Sequence, residues 1–224
     1  MSAHAFGAGL AFQRLRTRML GVLLALSGAL VVIVSLLERA SDRDLATDRA
    51  LSGVVFGLCL PLLCYATFEI AAARADLNAA IQPFARHGLA RPSLALGLIT
   101  SIALQNALSG AVLSALAVLL TRAGHPHLFA DLGAVVWIGA LTGASYTGLL
   151  ALGSVFRRGR LWLLIADWLL GSGSGLLALP WPRAHARNLL GLPPVLGFSQ
   201  PTAVALLLLI AAGGTLLASQ RLPR

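Results

Sequence analysis

An all-α fold is what this sequence predicts: a polytopic membrane bundle of six transmembrane helices, with a short interfacial helix before the first span and a short cytoplasmic helix between spans two and three. Three observations lead there. Hydrophobic residues make up 58% of the chain and charged residues only 11%, where a soluble domain carries about 25% charged residues. The apolar residues fall into six runs, each near the roughly 20 residues a helix needs to cross about 30 Å of hydrocarbon. Between the runs lie short segments rich in arginine, as expected of membrane loops. The runs leave little room for a soluble domain, so residues 1–224 read as one transmembrane domain.

The N-terminal stretch FGAGLAFQRLRTRML groups Phe6, Leu10 and Phe12 on an apolar side and gathers Arg14, Arg16 and Arg18 at its end. That pattern predicts a helix lying in the membrane interface. The first span covers about 19–37. It is longer than a signal-peptide core, and the LERASDRD that follows offers no small-x-small cleavage site, so the run stays as a span. The second covers about 51–73, with a bend expected at Pro61. Cys59 and Cys64, five apart on it, diverge around the helix and read as small core residues rather than a disulfide.

The polar segment ARADLNAAIQPFARHGLARP follows. From Arg74 to Ile81 it supports a short helix, with Leu77, Ala80 and Ile81 on one side and Arg74, Asp76 and Asn78 on the others. Pro83 limits that helix, and Gly88 with Pro92 marks a turn. Spans three and four are expected at about 94–120 and 132–156, the former long enough to tilt or bend; span five is expected at about 161–179 and span six at about 202–219. A proline-rich external region, LPWPRAHARNLLGLPPVLGFSQP, precedes the last span. The pairs Gly53/Gly57, Gly139/Gly143 and Gly171/Gly175 have the four-residue spacing that lets membrane helices approach closely.

The arginines set the orientation, because positive charge is retained on the cytoplasmic side. With the N-terminus inside, the inner segments carry Arg14, Arg16, Arg18, Arg74, Arg86, Arg91, Arg157, Arg158, Arg160, Arg221 and Arg224. The outer ones carry fewer: Arg39, Arg43, Arg49, Arg122, Arg183 and Arg187. Both termini are therefore expected in the cytoplasm. The formal net charge of +9 is spread over these loops, whereas a nucleic-acid reader gathers its cations on one soluble face, so no nucleic-acid partner is expected. All 17 basic residues are arginine. Without lysine, neither a Walker A phosphate loop nor Schiff-base catalysis is open to this chain.

Charged and polar residues within spans are costly and need a reason. Glu69, near the cytoplasmic end of span two, is expected to pair with Arg16, Arg18 or Arg74, or to transmit movement. Asp167, between Trp162 and Trp168, either bonds to another helix or lines a substrate path. Gln105 and Asn106 in span three and Ser145, Tyr146 and Thr147 in span four are expected to satisfy one another across helices. The histidines all fall outside the expected spans. The spacing of His125, His127 and His185 is too unspecific to assign a metal site, and they read as solvated loop residues.

FEIAAARADLNAAIQPFARHGLARPSLALG, residues 68–97, resembles the region between spans two and three of ABC-2 type transporter permeases. The resemblance implies that Glu69 is the acid closing span two, that Arg74 to Ile81 form a coupling helix, and that Arg86 and Arg91 form the basic turn after it. The residues implied to meet an ATPase are Arg74, Asp76, Leu77, Ile81, Phe84, Arg86 and Arg91. The family's Gly-Thr opening of that helix is replaced around Ala75 to Leu77, and its lysine near span three is Leu98 here. GSVFRRGRLWLL is similar to a basic turn in the heme-exporter B branch.

The implied function is a permease subunit, an exporter of the bacterial inner membrane. It would be driven by a separate cytosolic ABC ATPase that carries ATP and magnesium, with no cofactor in this chain, and paired with a second copy or a related permease in the bilayer. Two readings stand beside it. A scaffold subunit of an energy-coupling importer would also use cytoplasmic coupling helices. An intramembrane enzyme is hinted at by TGASYTG, but no histidine lies in a span to act as its base, and Glu69 and Asp167 are expected at different depths.

Overall fold

The computed structural model describes residues 2–38, 48–155 and 159–221. Nine α-helices build it, with no strand among the described residues: α1 (Ala3–Leu15), α2 (Arg18–Glu38), α3 (Leu60–Ala71), α4 (Leu77–Ala85), α5 (Arg91–Thr121), α6 (Leu128–Gly153), α7 (Gly159–Leu170), α8 (Pro182–Leu189) and α9 (Gln200–Gln220). A π-helical segment, Arg49–Cys59, runs directly into α3, so 49–71 forms one rod. Five helices are long and apolar enough to cross a membrane: α2, that rod, α5, α6 and α9. The chain is a helical membrane protein. Arg39, Arg43, Arg157, Arg158 and Arg224, used above for orientation, lie outside the described residues.

The expected fifth span is not one helix. Its only α-helical part is Gly159–Leu170, about 18 Å long at 1.5 Å per residue, well short of the roughly 30 Å of hydrocarbon. The sequence after it, Gly171-Ser172-Gly173-Ser174-Gly175, cannot sustain a helix, since each glycine costs about 1 kcal/mol there relative to alanine. The chain continues through turns into α8, which starts at Pro182, where the missing N–H costs nothing. Most of α8 is buried, so the segment expected outside the membrane packs into the bundle.

Glycine decides which helices touch closely. At the α5–α6 crossing, Gly110 and Gly139 meet backbone to backbone, and Gly143 rests on the Asn106 carbonyl. Gly148 and Gly214 do the same for α6 and α9, and Gly7 and Gly97 for α1 and α5. In lipid no hydrophobic force joins helices, so this contact and interhelical hydrogen bonds hold them. α6, the most buried of the long helices, is the hub, and α2 is the most peripheral. Of the three expected pairs only Gly139/Gly143 serves helix packing throughout. Gly53 and Gly175 face open space, while Gly57 and Gly171 border Arg183.

α1 does not simply float in an interface. Gly7 and Ala11 are buried, Phe6 lies 5.2 Å from the Phe84 ring, and Arg14 donates to the Ala71 carbonyl at 2.7 Å, capping α3. Phe12, expected on the apolar side, is exposed with Arg16 stacked 4.9 Å above it. At the opposite end, Glu38 accepts from the Arg49 and Ala50 amides at 3.2 and 2.8 Å, and Asp48 accepts from Thr121 at 3.1 Å. Arg122 pairs with Asp131 at 2.7 Å. Polar residues thus tie both ends of an apolar bundle. α1, α4 and the last turns of α6 and α9 share one end, the elbow end.

Candidate functional site

Span two closes at the elbow end with a tight turn. The Arg74 amide donates back to the Glu69 carbonyl at 2.7 Å, and Ala73 and Arg74 both adopt left-handed backbone, φ 52° and 59°. Glycine usually fills such positions after a helix, and each non-glycine residue held there costs on the order of 1 kcal/mol or more. The turn aims the chain into α4, which starts later and ends later than the expected Arg74 to Ile81. Asp76 caps it, accepting from the Ala79 amide at 2.7 Å. The helix also runs two residues past Pro83, because a proline there removes one hydrogen bond near an end that is already open.

Among the residues expected to meet an ATPase, Leu77 and Ile81 are buried and fasten α4 to the bundle, and the Leu77 amide reaches the Ser154 carbonyl at 3.4 Å. Phe84 is half-buried against Phe6. Arg74, Asp76 and Arg86 are exposed, together with Ala79 and Pro83. Arg91 is half-buried in the first turn of α5 and already engaged.

The partner of Glu69 is none of Arg16, Arg18 or Arg74. It is Arg160, from the first turn of α7, at 3.0 Å. Arg160 is buried, donates to the Ala75 carbonyl at 2.8 Å, and lies 5.3 Å over the Phe68 ring. One guanidinium therefore joins α3, the turn into α4, and α7. We call this contact the latch.

Seven residues on, about 10.5 Å along α7, lies Asp167, fully buried. Tyr146 of α6 donates to its Oδ2 at 2.7 Å. Next to Tyr146, the Thr147 hydroxyl accepts from the Asn106 amide of α5 at 2.8 Å. Ser145 bonds instead to the Leu207 carbonyl of α9, also at 2.8 Å. Gln105, expected to reach across helices, bonds within α5 to Ser109 at 3.4 Å. A polar layer thus spans α5, α6 and α7, and Arg183 of α8 borders Gly171 beside Asp167.

Opposite α7, span two is interrupted at the same level. Pro61 has no N–H to offer the Gly57 carbonyl one turn back, and the Trp168 indole donates to that carbonyl at 3.0 Å. π-helical turns recur at functional sites, and here one lies beside α7, close to where that helix stops. His185, read as solvated, is fully buried and bonded through Nε2 to the Leu179 carbonyl at 2.7 Å, whereas His125 and His127 are exposed. Among the described residues no three histidine, cysteine, aspartate or glutamate side chains gather as a ligand set.

Arg160, Arg183 and Trp168 are the residues that reading by segment misses. The first two sit in stretches counted as loops, although Pro182 followed by alternating alanines was a visible helix-start signal. No family model matches the chain, and no curated protein matches it.

Proposed function

We propose that this chain is the transmembrane permease subunit of an ABC-type transporter, an exporter, moved by a separate cytosolic ATPase that docks on α4. Its elbow end faces the cytoplasm, with both termini, and the fifth crossing is the broken one through α7 and α8. A single bundle supplies half a pathway, so two copies, or this chain and a related permease, line it. The observation that carries the reading is the latch. α4 and the turns flanking it present exposed Arg74, Ala79 and Arg86 to the outside, α4 is fastened by Leu77 and Ile81 on its inner side, and the turn before it connects through Arg160 to the helix that carries Asp167. Pressure on α4 therefore reaches the polar layer along one rigid helix. A partner shifts such an equilibrium only by contacting two states differently, and the latch, one ion pair joined by a backbone hydrogen bond and a ring face, is the contact through which pressure on α4 would do so.

The test is cysteine crosslinking from Ala79→Cys and Arg86→Cys to a co-expressed ATPase of the host, with Ser101→Cys within α5 as the negative control. Crosslinks from α4 alone support the reading, and Arg86→Glu should reduce co-purification at least several-fold without lowering the melting temperature. Modification of Ala79→Cys only from the external side of the membrane would refute it. Recovery of a small membrane protein together with the ATPase would favour an importer scaffold instead.

A further inference from the structure

The guanidinium of Arg183 donates no hydrogen bond to any described residue, although its Nε is shut off from solvent. Among the described residues ion pairs form at Arg122–Asp131 and Arg160–Glu69, and Arg183 makes none. The nearby acid is Asp167, one oxygen of which is engaged by Tyr146; the other, Oδ1, borders Gly171 together with the Arg183 Cβ and has no hydrogen bond of ordinary geometry. The room for the guanidinium comes from Gly57, where an added Cβ would lie 3.0 Å from Nη2. Arg187 stands one turn further along the same face of α8, its charge bearing on Arg183, and donates to the Ser172 carbonyl.

Like charges four apart on a helix repel, and an uncompensated charge at membrane depth is costly. Two guanidiniums one turn apart, only the nearer of them beside a carboxylate, leave a positive charge unmatched. Donors in a planar fork suit an oxyanion, and the several acceptor oxygens of a phosphate suit two such forks. We propose that Arg183, assisted by Arg187, binds the oxyanion of a phosphate group at the break between α7 and α8, with Asp167 as a competing charge that weakens the hold. The site stands without any ATPase, so its test and that of the docking of α4 fail independently.

The full-length protein in detergent is presented with an equimolar mixture of phosphatidylglycerol and phosphatidylcholine and examined by native mass spectrometry, and in parallel with radiolabelled inorganic phosphate by equilibrium dialysis. Arg183→Gln should weaken binding about tenfold, Arg183→Lys less, and Asp167→Asn should leave it unchanged or strengthen it. Retention of phosphatidylglycerol alone assigns a lipid headgroup, and retention of free phosphate assigns a soluble anion. If Arg183→Gln fails to fold, Arg187→Gln carries the comparison, with a several-fold loss expected. Equal binding by the substituted and original proteins, binding of neither probe, or an Asp167→Asn loss as large as that of Arg183→Gln would overturn the proposal; the last would make Arg183 a mere counter-ion.

Discussion

Single residues decide the most here where they are least numerous. Arg160 satisfies a carboxylate, a carbonyl and a ring face at once, and removing one partner of a buried pair leaves the other charge stranded. Because Glu69 keeps some exposure, Arg160→Gln is expected to cost about 2 kcal/mol rather than the full penalty of a dry pair. Thermal unfolding in nanodiscs measures it, and Glu69→Gln with Arg160→Gln should cost less than the sum of the two. That Glu69 needs a cation was legible from its place in an apolar run. Which cation was not, since Arg16, Arg18 and Arg74 are near in sequence or by topology and Arg160 becomes a neighbour only when α7 packs on α3.

Among elements, close approach sorts one glycine from another. Gly139→Ala would drive a methyl into the Gly110 backbone and separate α5 from α6, an overpacking cost of about 1–3 kcal/mol. Gly53→Ala meets nothing and should be neutral or stabilising by about 0.5 kcal/mol. Melting temperatures of the two variants, side by side, check the contrast. Spacing revealed both positions, but spacing alone cannot say which face of a helix looks at another helix. The break in span two makes a second prediction. Trp168→Phe should cost about 1 kcal/mol by orphaning the Gly57 carbonyl, and less when Pro61→Ala restores a backbone donor; a double-mutant cycle in unfolding free energy shows the coupling. The bend at Pro61 was readable, yet its partner was not. Nor was the shortness of α7, because counting apolar residues over 161–179 passes over the glycines that stop the helix at Leu170.

Across the whole molecule, composition was enough to read a helical membrane bundle, since no other fold hides so much apolar surface and so little charge. The elbow, too, was readable, because its arginines and proline stand out from the apolar runs beside it, whereas Asp76 was read inside the helix it caps. The polar layer was visible only as isolated residues, Asn106, Tyr146 and Asp167, and the helices that join them come from distant parts of the chain. The account as a whole rests on movement passing from α4 through Arg160 to α7. Distances between spin labels at Ala79→Cys on α4 and Trp162→Cys on α7 measure this directly, with the co-purified ATPase in its nucleotide-free and ATP-bound states. The account predicts that ATP moves the two labels together relative to a third on α2, and that Arg160→Gln makes α4 move without α7. Labels that stay fixed on ATP binding, or an α7 that moves equally well without Arg160, would contradict it.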